Sequence, residues 1–409
     1  MEQNFGRRQF IRWGALATLV AAPAAAAAAA TSGKLAKVRD LEIYRHPDYY
    51  CGPGPSPVVL PDRSILVGFR RSPASTPAHF FPEVEGCLTE SRDGGKSWSE
   101  PRVIDFGGVH NVNLTVLADG TLLYATSLGQ PITRGAYERA KDLPGNKDRQ
   151  GRRMIVFTPQ DRAKALTESF GAGFYASEYG VWVRRSTDQG RSWSPGFAVS
   201  PVPGVPALLP GFPSPTELRS SVVALRSGRL VLPVYSFPVE HVFLMGSDDG
   251  GRSWSLVGKI AGSGDGLEFA NETVVHETSS GELVAFIRIN GNLVTSRSGD
   301  SGRTWSRPQR HALWGYPYAT VAMPSGRILL AYGYRREPFG IRARLLDSEC
   351  RRIDEAEELV LREDGGRSDL GYPLGCLLPD GNALITYYFN DRRDGGTQRY
   401  IAGTLVAER

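Results

Sequence analysis

Apolar and polar positions alternate in paired short runs along this chain, and a turn signature joins the two runs of each pair. Six segments follow the plan: 57–70, 112–126, 221–235, 272–288, 319–332 and 375–388. Alternation with period two sends successive side chains to opposite faces, so each run reads as a β-strand. The joins are Asp62-Arg63, Asp119-Gly120, Ser227-Gly228, Ser280-Gly281, Ser325-Gly326 and Asp380-Gly381. Such pairs between apolar runs predict six hairpins with two-residue turns.

A second pattern is interleaved with the first. Ser-x-Asp-x-Gly-x-x-Trp occurs as Ser91-Asp93-Gly95-Trp98, Ser186-Asp188-Gly190-Trp193, Ser247-Asp249-Gly251-Trp254 and Ser298-Asp300-Gly302-Trp305. Four of the seven Trp close such a box. The Asp can accept hydrogen bonds from the N–H groups of its own turn, and the Gly permits positive φ. The Trp offers a large apolar face to a neighbouring unit. A fifth box is worn: Asp347 remains, with Glu349 and Arg352 in the Gly and Trp places. A sixth keeps Asp394 and Gly396, with Arg399 in the Trp place. Each unit therefore reads as four antiparallel strands, with the box joining the last two. The expected fold is all-β: a six-bladed β-propeller, whose ring hides the edges of an open array.

These boxes resemble the Asp-box, or BNR, repeat of the sialidase (neuraminidase) superfamily, across roughly residues 40–409. The resemblance places the boxes on the outer rim, as structural elements. It implies an exo-acting, retaining glycoside hydrolase. In that chemistry a neutral Tyr, activated by Glu, attacks a sugar that bears a carboxylate on its anomeric carbon, and arginines hold the carboxylate. Glu272, opening the fourth hairpin, resembles the activating Glu. Tyr372, in Asp369-Leu370-Gly371-Tyr372-Pro373, resembles the nucleophile. Arg288 and Arg342 resemble clamp arginines, with Arg344 on the same strand face as Arg342. Tyr372 and Glu272 are expected within hydrogen-bond reach. Arg70 and Arg71 match a secondary arginine beside the acid. Where sialidases carry their first arginine, this chain reads Gly52-Pro53-Gly54-Pro55-Ser56-Pro57, without Arg; Arg45 lies upstream. No Asp follows Arg71 before Asp93, so the acid falls to Glu83, with Glu85 and His79 beside it. Glu217 and Arg219, opening the third hairpin, and His110 and Asn111, opening the second, also reach the axis. Two other functions fit the same pattern. One is a propeller glycosidase for another glycan, with Glu217 and Glu272 as a carboxylate pair. The other is a non-catalytic carbohydrate-binding propeller.

Composition changes the picture at the ends more than in the middle. Residues 1–30 hold Arg7-Arg8-Gln9-Phe10-Ile11-Arg12, then an apolar stretch and an alanine run, as in a twin-arginine signal peptide. Residues 31–409 form the propeller, and export places it in the periplasm or outside the cell. Removing Glu2, Arg7, Arg8 and Arg12 lowers the formal charge of +5 by two, to +3. That mild excess suits an anionic glycan and gives no reason for nucleic acid. Stable membrane insertion of the mature chain is not expected, nor is an oligomer. Cys51, Cys87, Cys350 and Cys376 show no metal-ligand spacing, so no metal or cofactor is expected. A long excursion at about 129–180 breaks the repeat. Thr158-Pro159-Gln160-Asp161 reads as a helix start, with Gly171 as its stop.

Overall fold

The structure is a computed structural model. It describes residues 33–75, 84–106, 109–127, 130–133, 156–157, 174–177, 180–205, 214, 216–236, 241–267 and 269–409. The signal-like segment, His79, Glu83 and the helix expected at 158–171 lie outside the described residues.

Residues 34–409 form a ring of six four-stranded antiparallel blades, the fold expected from the repeats. From the axis outward, blade 2 runs Asn113–Val116, Leu122–Ser127, Val181–Ser186 and Phe197–Ala198. Blade 4 runs Val274–Glu277, Leu283–Ile287, Asn292–Ser298 and Gln309–Trp314, and blade 5 runs Tyr318–Ala322, Ile328–Tyr334, Gly340–Leu346 and Glu358–Arg362. In blades 1 and 3 the innermost strand is broken in two. Tyr49–Cys51 and Ser56–Val59 both pair with Ile65–Pro73, while Glu217–Leu218 and Val223–Ala224 both pair with Leu230–Ser236. Glu85–Ser91 and Arg102–Phe106 complete blade 1, and His241–Ser247 and Ser255–Gly262 complete blade 3.

Blade 6 corrects the sequence reading. Its first three strands are Gly371–Leu377, Ala383–Phe389 and Tyr400–Glu408, but its outermost strand is Leu35–Tyr44, from the other end of the chain. The Asp394-Gly396-Arg399 segment thus joins the second and third strands, and it is not a box between the last two. The pairing runs from Leu35 opposite Glu408 to Tyr44 opposite Ile401. A small separate sheet of Gln130–Thr133, Phe174–Ser177 and Val156–Phe157 is inserted between the second and third strands of blade 2.

The turns also differ from expectation. Each hairpin has a three-residue loop: Leu60 N–H donates to Ser64 O, and Arg63 N–H to Leu60 O. The other five repeat this pattern, with positive φ at Gly120, Gly228, Gly281, Gly326 and Gly381, and at Arg63 in the first. A type I turn followed by a left-handed residue needs one more position than a two-residue turn, and the Gly supplies it.

The core lies between blades, in six wedges. Each complete box anchors one. Asp93 Oδ1 accepts from Lys96 N and Ser97 N at 2.9 Å, and Ser91 Oγ accepts from Gly95 N at 2.8 Å. The turn so fixed lays Trp98 against the wedge shared with blade 6. Trp193, Trp254 and Trp305 likewise pack on the blade before their own. In the worn fifth box Cys350 takes the positive φ, and Cys350 and Ile353 fill the wedge in place of an indole. All four cysteines are free thiols.

Trp254 is the most buried box indole, at 5% exposure. Trp254→Ala is expected to cost about 3–5 kcal/mol, by loss of transfer energy plus a cavity. Urea unfolding at constant m-value checks this; a loss under about 1 kcal/mol would mean that the indole does not hold blades 2 and 3 together.

Candidate active site

Six inner strands converge on the axis, so their first residues meet although they are far apart in sequence. Glu272 stands just before the inner strand of blade 4, and Arg288 just after the second strand of the same hairpin. Tyr372 stands at the start of blade 6. Its hydroxyl donates to Glu272 Oε1 at 2.7 Å. Arg288 Nη1 donates to the Tyr372 hydroxyl at 2.8 Å and also to Glu272 Oε2. Phenol, carboxylate and guanidinium thus form a closed triangle.

The backbone aims Tyr372 unusually. Its φ is +54°, a region that costs a non-glycine residue about 1–3 kcal/mol. The pairing of its strand slips between Gly371 and Leu374, so Tyr372 sits on a bulge. A bulge turns one side chain out of the alternation of its strand. The cost is carried by the packed strands on both sides, which leaves the phenol directed at Glu272.

Three guanidinium groups surround the phenol ring. Arg219 lies 4.7 Å from its centroid, Arg335 5.2 Å and Arg288 5.7 Å. Arg288 and Arg335 also flank the ring of Tyr316, at 4.7 and 5.5 Å. Arg335 is held by Leu370 O at 3.0 Å and by the Tyr388 hydroxyl at 2.9 Å. Burial would raise the Glu272 carboxyl, but the charges of Arg288 and Arg219 and the bonds from Tyr372 and Arg288 hold it below the usual range. Burial and the Glu272 charge raise the Tyr372 phenol, against Arg288 and Arg335.

A second carboxyl sits deeper. Glu217 is 3% exposed; its Oε2 accepts from the Tyr235 hydroxyl at 2.6 Å and lies 3.4 Å from His110 Nδ1. Burial pushes it up to about 7, with Glu272 adding to the rise and Tyr235 and Arg70 opposing it.

Other residues expected at the site are placed differently. Arg342 is buried in blade 5, donating to Arg362 O and to Pro338 O at 3.2 Å, with Nε 3.6 Å from Glu358. Arg344 reaches Ile353 O at 3.1 Å. Arg70 is buried, and its guanidinium lies against Gly52, where an added Cβ would collide with Nε. Arg71 pairs with Glu85 at 2.7 Å, which commits Glu85 to that ion pair. Arg45 binds Asp391 at 2.8 Å and stacks 3.5 Å from the centroid of Tyr400. Asn111 Nδ2 holds Leu218 O at 2.9 Å.

Arg335 and Tyr316 were not legible as site residues. A signal for Arg335 did exist: it follows the second strand of blade 5 as Arg288 follows that of blade 4.

The architecture is that of a propeller with ionisable groups gathered at one end of its axis, and comparison with known proteins agrees. The chain belongs to the BNR repeat-like domain family, whose pattern matches residues 166–382. A protein of unknown function from Dyadobacter fermentans is 29% identical, with a TM-score of 0.74 over 92% of this chain and 99% of that one. The NanB sialidase of Streptococcus pneumoniae is 14% identical, with a TM-score of 0.58 over 90% of this chain and 70% of that one. A leech intramolecular trans-sialidase is 16% identical, with a TM-score of 0.56 over 88% of this chain and 68% of that one. No curated protein matches the chain in sequence. The match to the BNR repeat-like domain shows the family, and the likeness to the solved sialidases shows the fold.

Glu217 makes the fold sensitive to pH. Unfolded, this carboxyl loses its proton near 4.5; folded, near 7. Between those values the folded state holds a proton that the unfolded chain has released, so stability falls as pH rises through the window. Glu217→Gln removes this dependence. Its stability relative to wild type is expected to improve by about 2–3 kcal/mol from pH 5 to pH 8, measured by urea unfolding. Parallel curves would mean that the carboxyl titrates as an exposed one does.

Proposed function

We propose that the protein is an exported, sialidase-like exo-glycoside hydrolase of the retaining type. The 2.7 Å contact between Tyr372 and Glu272 carries this reading, inside a ring of three guanidinium groups. A sugar with a carboxylate on its anomeric carbon would repel an anionic nucleophile. A neutral phenol avoids that repulsion until it reacts. As the Tyr372 oxygen attacks the anomeric carbon, its proton passes to Glu272. The glycosidic C–O bond breaks, and the leaving oxygen takes a proton from an acid. Water then releases the sugar from Tyr372 by the reverse proton path.

Arg288 and Arg335 flank the phenol and are the substrate-carboxylate partners this geometry favours. Arg342, expected in that role, is occupied by carbonyl groups of blade 5. Glu83, with His79, is the acid in this reading. Among the described residues no helix is long and apolar enough to cross a membrane.

One observation favours a second reading. Glu217 is raised to about 7 while neighbouring Glu272 is lowered. Two carboxyls pushed apart in this way divide into proton donor and proton acceptor, the arrangement of glycosidases for other glycans.

Hydrolysis of a fluorogenic sialoside separates the two. Under the first reading wild type turns over, and Tyr372→Phe and Glu272→Gln each lose at least about 10³-fold in kcat. Under the second, sialosides are inert, and an aryl glycoside of another sugar is cleaved by Tyr372→Phe but not by Glu217→Gln. Inactivity on both substrate sets, with folded protein, would leave carbohydrate binding alone.

A further inference from the structure

Arg219 is expected from the sequence at the axis as a candidate for substrate binding; its contacts point to a different role. It lies in the break of the inner strand of blade 3, between Glu217–Leu218 and Val223–Ala224. A residue in the ladder would alternate between the two faces of its blade. In the break, Arg219 turns to the axis instead. It is 1% exposed, and its contacts centre on one residue. Its guanidinium stacks 4.7 Å from the centroid of the Tyr372 ring. Its Nη2 donates to Pro373 O at 3.1 Å, the carbonyl next after Tyr372. It thus touches the ring of the residue with the strained φ and the backbone of the residue that follows it.

The surroundings are shaped to admit it. Gly54 has φ +81°, and a Cβ there would stand 3.3 Å from both Arg219 Nη1 and Asn111 Oδ1. The Gly52-Pro53-Gly54-Pro55 segment, in place of an arginine-bearing strand, leaves room for this side chain. Asn111 fixes the carbonyl of the preceding residue, Leu218. Among the described residues Arg219 Nε and Nη1 have no hydrogen-bond partner. A guanidinium that keeps its charge there, with two donors unsatisfied, is expensive on the scale of buried polar groups. The facing aromatic ring and Glu272 are what offset it.

We infer that Arg219 is a positioning residue for Tyr372, which locks the phenol in its bulged conformation and sets a positive charge on the ring face where the phenolate forms. A cation over an aromatic face is drawn more strongly to a phenolate than to a phenol. The groups facing the phenol are Glu272 and Arg288 from blade 4, Arg335 from blade 5, Arg219 from blade 3 and Tyr388 from blade 6, whose ring is 5.7 Å away. Two of these also bond the backbone of that segment: Arg335 holds Leu370 O, on the N-terminal side of Tyr372, and Arg219 holds Pro373 O, on its C-terminal side. Arg288 meets the phenol at its oxygen; Arg219 meets it at its face.

The inference rests on Tyr372 being the reacting group, and its test reads the phenol without any glycan. An aryl sulfonyl fluoride labels a phenolate: the tyrosyl oxygen bonds to sulfur and fluoride leaves. Labelling of Tyr372 is followed by peptide mass spectrometry across pH, in wild type, Arg219→Gln, Arg219→Lys and Glu272→Gln. Arg219→Gln is expected to label at least tenfold more slowly at pH 8, with its midpoint moved to higher pH. Arg219→Lys, which keeps the charge, is expected to fall between the two and serves if the Gln variant does not fold. Wild-type rate and midpoint in a folded Arg219 variant would overturn the inference, even if its thermal midpoint fell. A fall in Glu272→Gln alone would likewise assign the effect to the carboxylate and overturn it. An inert sialoside assay would bear on the substrate and leave this result standing.

Discussion

The first strand of the propeller pairs with the last, and every group at the axis depends on that pairing. Lys34 N–H donates to Arg409 O at 2.7 Å and Arg409 N–H to Lys34 O at 2.9 Å, and the ladder continues to Tyr44. This ladder completes the sixth blade with the chain's first strand and so closes the ring, leaving only the outermost strand of each blade as an edge. Tyr372 comes from blade 6 and Glu272 from blade 4, so they can touch only if all blades keep their angular places. The wedges between blades set those angles. The boxes set the wedges, because each Asp fixes a turn that delivers its Trp to the neighbouring blade. The rim of the ring thus governs contacts at its centre.

At the centre the balance is electrostatic. Arg219, Arg288 and Arg335 are gathered around one phenol and one carboxylate. Like charges in a buried space oppose one another, and each has lost its water. Glu272 compensates by bonding both Arg288 and Tyr372, and the aromatic rings of Tyr316 and Tyr372 take up part of the remaining field. A site of this kind carries excess positive charge in low dielectric. That condition favours an anionic ligand. Glu217, raised to about 7 by burial, adds less than a full negative charge to this balance.

Much of this was legible in the chain. Alternation and turn residues located six hairpins, and four boxes located the outer turns. Glu272, Arg288 and Tyr372 could be named before their contacts were known, because at the ends of their hairpins they resemble the positions of the sialidase site. Other features have no local signature. The outer strand of blade 6 comes from residues 35–44, and nothing in the 390–409 stretch announces that its partner lies at the opposite end. The bulge at Tyr372 depends on tertiary packing, since neither Gly371 nor Pro373 specifies positive φ at the residue between them. Arg335 is followed by Arg336 and looks like one more charged strand end. Arg342 matched a motif, but its buried neighbours in blade 5 offer carbonyl groups that bind it there. Arg219 was placed at the axis by its position in the third hairpin, but the break in the inner strand of blade 3 is hidden by the apolar run that resumes at Val222.

The central claim is that the Tyr372 oxygen becomes bonded to the sugar. Trapping tests it most directly. A sialosyl fluoride with a second fluorine on the ring carbon beside the anomeric centre forms such a bond and releases it slowly. The account predicts a mass increase of one fluorosialosyl group on the peptide containing Tyr372, lost again on prolonged incubation as activity returns. An adduct on Glu217 or Glu272 instead, or unmodified protein under conditions where the substrate is cleaved, would contradict it.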